Sequence, residues 1–228
     1  MSKKPSKDYH DYFIKDGRFV GRFEEMYQYA DDPWHIDALG RRLDMDAALL
    51  LLRHSRERFG KILDLGCGQG LFTNLLLDLN PDQVWACDIS ATAVARAQSR
   101  YGDPRLRFFP FDLNQIAQLP VPEKHFDLVV MSQTIWCVLP KLQDILRACL
   151  KFMSESGSLL ISQHFLQPGQ QKYGSEIMTQ PADLIAILES LGYVIKDTLE
   201  TNRHTNHHLA LWAKPGHGIC KEEQHAGA

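Results

Sequence analysis

The chain has 228 residues, 44% of them apolar and 23% charged, with a formal net charge of −3. That suits one globular domain with a full core and a modest cap. The net acidity gives no expected footprint for nucleic acid or an acidic membrane. No apolar run reaches the ~18 residues of a spanning helix. The N-terminus lacks a secretory apolar core. Five cysteines without a Cys-x-x-Cys pair read as reduced thiols in a cytoplasmic setting.

Residues 1–45 are expected to form a lid rather than a disordered tail, since they carry Tyr9, Tyr12, Phe13, Phe19, Phe23, Tyr27, Tyr29 and Trp34. The basic cluster Lys3, Lys4 and Lys7 reads as solvated. Phe19, Phe23, Met26 and Tyr27 fall at helical spacing, and Asp31-Asp32-Pro33-Trp34 reads as a turn. Asp46 is the expected cap of a helix over 47–58. Ile62 to Leu65 reads as a buried parallel strand, followed by Gly66-Cys67-Gly68-Gln69-Gly70 and a helical stretch to Leu79.

Further strands are expected over 83–88, 106–111, 126–132 and 158–162, and the last two over 193–199 and 208–213. Helices are expected over 91–101 (capped by Ser90), 139–153 and 181–191, with a disordered tail from Pro215. Strands alternating with helices imply a doubly wound, mostly parallel α/β sheet. The final pair, without a helix between, must run antiparallel. The main domain is expected over 46–214.

The glycine turn decides the ligand. A dinucleotide fingerprint needs glycine or alanine where Leu71 stands, so a nicotinamide cofactor loses there. Asp64, at the strand end, would repel a pyrophosphate and attract a cationic amino acid. Asp64-Leu65-Gly66-Cys67-Gly68-Gln69-Gly70 resembles the first motif, Asp-x-Gly-x-Gly-x-Gly, of the class I S-adenosylmethionine-dependent methyltransferases. That resemblance covers about residues 45–214 and implies their Rossmann-like, seven-stranded fold and a methyl transfer that yields S-adenosylhomocysteine. Asp32-Pro33-Trp34 is similar to a short segment before the first motif of nodulation-factor-type N-methyltransferases.

Ligands in such sheets lie beyond the carboxyl ends of the strands. Asp64 and Gly66 are expected at the methionine ammonium, with Cys67 inside the turn and Gly68 giving clearance for the sugar. Asp88 is expected at the ribose hydroxyls, with Ile89 beside it; a cap for the next helix is the other reading. Asp112 and Leu113 are expected at the adenine. Ser132 and Gln133 are expected under the methionine part, and Trp34 of the lid at the sulfonium, an aromatic face being suited to a cation. Gly70 is read as serving helix–strand packing.

A hydroxyl acceptor needs a general base near neutral pH, and His164 is the candidate. For His164, His204, His207 and His208 alike, a surface or strand position is the favoured reading, and no metal site is expected. Trp136 and Tyr173 are expected pocket walls, and 165–179 an expected flap. The motifs of base, arginine, cytosine C5 and catechol methyltransferases are missing. The expected acceptor is therefore an N or O atom of a small molecule such as a sugar or secondary metabolite, with no nucleic acid and no membrane as partner. The alternative is a protein that binds the cofactor or its product without transferring a methyl group. The oligomeric state, a homodimer included, is left open.

Overall fold

The computed structural model describes residues 8–202 and 206–216. His204, the basic cluster at Lys3, Lys4 and Lys7, and the tail beyond Gly216 lie outside the described residues. The lid segment opens with a 3₁₀ turn, Tyr9–Asp11, and a small hairpin of β1 (Ile14–Lys15) and β2 (Arg18–Phe19). Asp16 and Gly17 between them both have positive φ, the backbone of a two-residue hairpin turn. Next come α1 (Phe23–Tyr29) and the one-turn α2 (Ile36–Leu39). Phe19 thus lies in a strand, not in the helix that its spacing suggested.

The helix α3 (Leu43–His54) starts earlier than expected. Asp46 does not cap it; Arg42 stands at the cap without a side-chain bond. Asp44 and Asp46 lie inside the first turn, where carboxylates favour the exposed N–H groups. The central strand β3 (Lys61–Leu65) leads into α4 (Leu71–Leu75), which tightens into a 3₁₀ turn at Leu76–Leu79. Then follow β4 (Gln83–Asp88), α5 (Ala91–Arg100), β5 (Leu106–Pro110), a 3₁₀ stretch at Leu113–Gln118, and β6 (Phe126–Ser132). Ser90 caps α5 as expected, its hydroxyl accepting from the Ala93 N–H. The short α6 (Ile135–Val138) and α7 (Leu142–Phe152) precede β7 (Met153–Leu166). Last come α8 (Pro181–Ser190), β8 (Tyr193–Asn202) and β9 (Asn206–Pro215).

The main sheet has seven strands in the order β5-β4-β3-β6-β7-β9-β8. Strands β3 to β7 are parallel, and β9 runs antiparallel to both β7 and β8. Alternation along β3 sorts the core: Ile62 packs on the α3 and α4 side, Leu63 and Leu65 on the α7 and α8 side. The chain moves outward from β3 to β5 and then returns to place β6 beside β3. That reversal opens a crevice at the carboxyl ends of β3 and β6.

Two boundaries differ from expectation in ways that matter for the site. β7 continues to Leu166 because β9 pairs with it from Leu159↔Ala213 to Leu166↔Asn206. His164 is therefore inside a strand, not beyond its end. Pro215 is the last residue of β9 and not the start of a tail.

Candidate active site

The turn after β3 is sewn to the end of β4. The N–H groups of Gly66 and Cys67 donate to the Cys87 carbonyl at 2.8 and 2.9 Å, and the Gly68 N–H donates to Asp88 Oδ2 at 2.8 Å. Asp88 Oδ1 accepts from the Ser90 N–H at 2.9 Å. Asp88 thus holds both the glycine turn and the start of α5, while its carboxylate lines the cleft. Gly66 has φ 85°, and a Cβ there would lie 2.5 Å from two atoms of the buried Thr134 side chain. At Gly70 a Cβ would press on Phe108 and Ala97, so that glycine serves the packing of α4 against its neighbours.

Asp64 is buried and accepts from the Thr73 hydroxyl at 2.6 Å. Burial pushes its carboxyl up to about 7, with a smaller push from Asp88. Burial also raises Asp88, against the pull of the Ser90 and Gly68 N–H groups. The buried Asp64 and the half-buried Asp88, both with raised pKa values and neither in an ion pair, face one crevice; such a pair suits a ligand that brings a cation and hydroxyl donors. Burial pushes the Cys67 thiol up as well, which makes it a poor nucleophile.

The lid closes over this turn. Trp34 Nε1–H donates to the Tyr27 hydroxyl at 2.9 Å, and that hydroxyl lies 2.9 Å from where a Gly68 Cβ would sit. The lid is tied to α5 through Glu24, whose carboxylate accepts from the Ser90 hydroxyl (2.6 Å), the Thr92 hydroxyl (2.6 Å) and the Thr92 N–H (3.2 Å). Burial pushes Glu24 up, but these donors outweigh it and bring it down to about 2. Arg96 adds a bond to the Ala30 carbonyl at 2.9 Å. Phe19 of the lid stacks on Tyr173 at 5.5 Å, so lid and flap meet across the cleft.

The cleft has a volume of about 1080 Å³. Every expected cofactor residue lines it: Asp64, Gly66, Cys67, Gly68, Asp88, Ile89, Asp112, Leu113, Ser132, Gln133 and Trp34. Asp112 also caps the 3₁₀ stretch after β5, accepting from the Asn114 N–H at 2.9 Å. His164, Trp136 and Tyr173 line the same cleft. The Trp136 Nε1–H donates to the His164 carbonyl at 2.8 Å.

Sequence reasoning named Gln133 and His164 but missed the network that joins them to Gln163 and Asp44 at the inner wall. Gln133 has φ 58°, and its Oε1 accepts from the His164 N–H (3.2 Å) and from Gln163 Nε2 (3.3 Å). Its Nε2 reaches Asp44 Oδ2 at 3.4 Å. Asp44 is buried and bridged to Arg42 at 2.7 Å, and that pairing outweighs burial and lowers its pKa. Behind His164 lies His208, ring centroids 4.9 Å apart, with Nε2 at 2.9 Å from Ser162 Oγ. Burial first, then the nearby His164, lowers His208 to about 4, so it stays neutral. His207 instead pairs with Glu200 across the hairpin at 2.6 Å. No group of three or more His, Cys, Asp or Glu among the described residues is placed to hold a metal ion. No helix among them is long and apolar enough to cross a membrane.

Strand order, glycine turn, strand-end acids and antiparallel final strand together give the fold of the class I S-adenosylmethionine-dependent methyltransferases. Residues 63–161 match the family described as "Methyltransferase domain". Among solved structures it resembles the N-methyltransferase NodS from Bradyrhizobium japonicum in complex with S-adenosylhomocysteine, at 20% identity and TM-score 0.65, covering 82% of this chain and 93% of that one. It also resembles a SAM-dependent methyltransferase from Aquifex aeolicus, at 19% identity and TM-score 0.62, covering 79% and 98%.

Its curated relatives include the tRNA N(3)-cytidine methyltransferase METTL2 of Gallus gallus, 32% identical over 108 residues, covering 44% of this chain and 29% of that protein. Another is ribosomal RNA small subunit methyltransferase C of Salmonella paratyphi A, 25% identical over 164 residues, covering 64% and 47%. The chain therefore spans less than half the length of these relatives. Both are named for RNA, and this overturns the expectation that nucleic acid is excluded as a partner: net charge is a poor guide where recognition can rest on a local surface.

Proposed function

We infer that the chain transfers a methyl group from S-adenosylmethionine to an N or O atom of a small-molecule acceptor held beneath the lid. The observation that carries this reading is the roofed cleft of about 1080 Å³, at the upper end of ligand-pocket sizes, with acids at one end and amides and imidazole at the other. When bound, the cofactor supplies a methyl group already activated by the sulfonium. The residues here bind, orient and exclude water. Asp64 takes the ammonium, its buried carboxyl gaining the cation it lacks. Asp88 takes the ribose hydroxyls while keeping its bonds to Gly68 and Ser90 N–H. Asp112 and Leu113 border the adenine, Ser132 and Gln133 the methionine part, and Trp34 and Tyr27 cover the turn.

His164 is the general base for a hydroxyl acceptor; an amine arriving unprotonated needs none. The neutral His208 behind it does not compete for the acceptor's proton. Within the expected lid, residues 8–42 act as the cover of the transferase domain that follows. A second reading, favoured by the two RNA-named relatives, is that the acceptor is a base or ribose of RNA. One assay separates them. Labelled S-adenosylmethionine is offered with a panel of amine and hydroxyl metabolites and, in parallel, with total tRNA and rRNA. Label in a metabolite supports the first reading, and label in RNA alone replaces it with the second. Tight cofactor binding with label in neither returns the reading to a non-catalytic binder.

A further inference from the structure

The mouth of the cleft is unusually apolar. Eight large apolar side chains are exposed among the described residues, and five of them line this cleft: Phe19, Leu39, Leu43, Ile89 and Leu166. Scattered exposed leucines need no explanation, but exposed apolar groups gathered at one site mark a surface built to be covered. Leu39 is 65% exposed, Leu43 49% and Leu166 48%. The fold presents them deliberately. The one-turn helix that ends in Leu39 is held by Asp32, whose carboxylate accepts from the Ile36 N–H (2.7 Å) and the Ala38 N–H (3.0 Å).

These leucines bracket the polar inner wall. Leu43 precedes Asp44, whose carboxylate meets the Gln133 amide. Leu166 lies two residues beyond His164 on the same strand, hence on the same face. The arginines at this end are already engaged: Arg41 by Asp46 and by Asp78 at 3.2 Å, Arg42 by Asp44. The stretch from Arg41 to Leu43 thus presents paired arginines and bare leucine, while Lys172 also lines the cleft.

The geometry points to an amphipathic acceptor: a small molecule with its N or O nucleophile at Gln133 and His164 and an apolar chain or ring lying along Leu39, Leu43 and Leu166. This rests on the methyl-transfer reading and adds the acceptor's shape and polarity. The test uses two homologous probe series, n-alkylamines and n-alkanols of four to ten carbons, titrated calorimetrically into protein saturated with S-adenosylhomocysteine. Affinity should rise about fourfold per added methylene, the scale of moving one such group out of water, until the rim is covered. Leu39→Gln and Leu166→Gln, both at exposed positions, should flatten that slope without changing the S-adenosylhomocysteine affinity.

Affinity independent of chain length in wild-type protein that binds S-adenosylhomocysteine normally overturns the proposal. So does the same slope in both variants. A single-stranded RNA oligonucleotide that binds wild type and variants alike, with no alkyl slope, assigns the mouth to a nucleotide acceptor instead. Failure of wild type to bind S-adenosylhomocysteine at all strikes the underlying cofactor reading, which makes that outcome distinct.

Discussion

Asp64 carries a pH signature. Its carboxyl is buried against Thr73, and burial lifts it from 3.8 to about 7. In the unfolded chain it ionises normally. Between about pH 4 and 7 the native state therefore binds more protons than the unfolded state, and stability falls as pH rises through that window. At about 1.4 kcal/mol per pH unit the full span is about 4 kcal/mol, of which about 2.5 falls between pH 5 and pH 8. Asp64→Asn keeps an acceptor for the Thr73 hydroxyl and cannot ionise. Urea unfolding of both proteins at pH 5, 6, 7 and 8 isolates the effect, because every other titrating group cancels in the difference. The variant should gain about 2.5 kcal/mol on wild type from pH 5 to 8. Saturating S-adenosylmethionine should erase the gain, since its ammonium stabilises the ionised acid. A difference flat with pH, or wild type gaining on the variant, would refute the placement of a buried, cation-seeking acid in this turn.

Gly66→Ala should lower stability by about 2–5 kcal/mol, combining left-handed backbone strain with the collision at Thr134, and thermal melting reads it; a melting temperature equal to wild type contradicts the close approach. Glu24→Gln should loosen the lid, seen as faster proteolysis within residues 8–35 at pH 7. Because its pKa is depressed, the Glu24 contribution is present above about pH 4.5 and is lost as pH falls toward 2; unchanged cleavage removes it as the tie. His164→Ala should leave S-adenosylhomocysteine affinity as it was and slow transfer to a hydroxyl acceptor by ~100-fold or more; full activity removes it as the base.

Much of this was legible because the sheet is buried on both sides. Parallel strands read as apolar runs, and Asp64, Asp88 and Asp112 announce themselves as acids closing or just following such runs. The hairpin at Ile14 to Phe19 escaped because two-residue strands have no period, although Asp16-Gly17 is its turn signal. His164 was misplaced for a different reason. The length of β7 is set by pairing with β9, whose partner residue for His164 is His208, far along the sequence, which local pattern does not reveal. The inner wall was invisible for the same cause: Asp44 lies before the helix expected over 47–58, and only tertiary contact brings it to Gln133. Nucleic acid, for which two relatives are named, was excluded by reasoning from net charge, which averages away any local surface.

The central claim is that the turn from Asp64 to Gly70, with Asp88, holds S-adenosylmethionine. Calorimetric titration of S-adenosylhomocysteine into wild type and Asp88→Ala tests it most directly. The account predicts one-to-one binding to wild type, affinity lower by about 1–3 kcal/mol in the variant, the scale of hydrogen bonds to a charged group, and no heat with NAD. Equal affinity in the variant, or binding of NAD in place of S-adenosylhomocysteine, would contradict it.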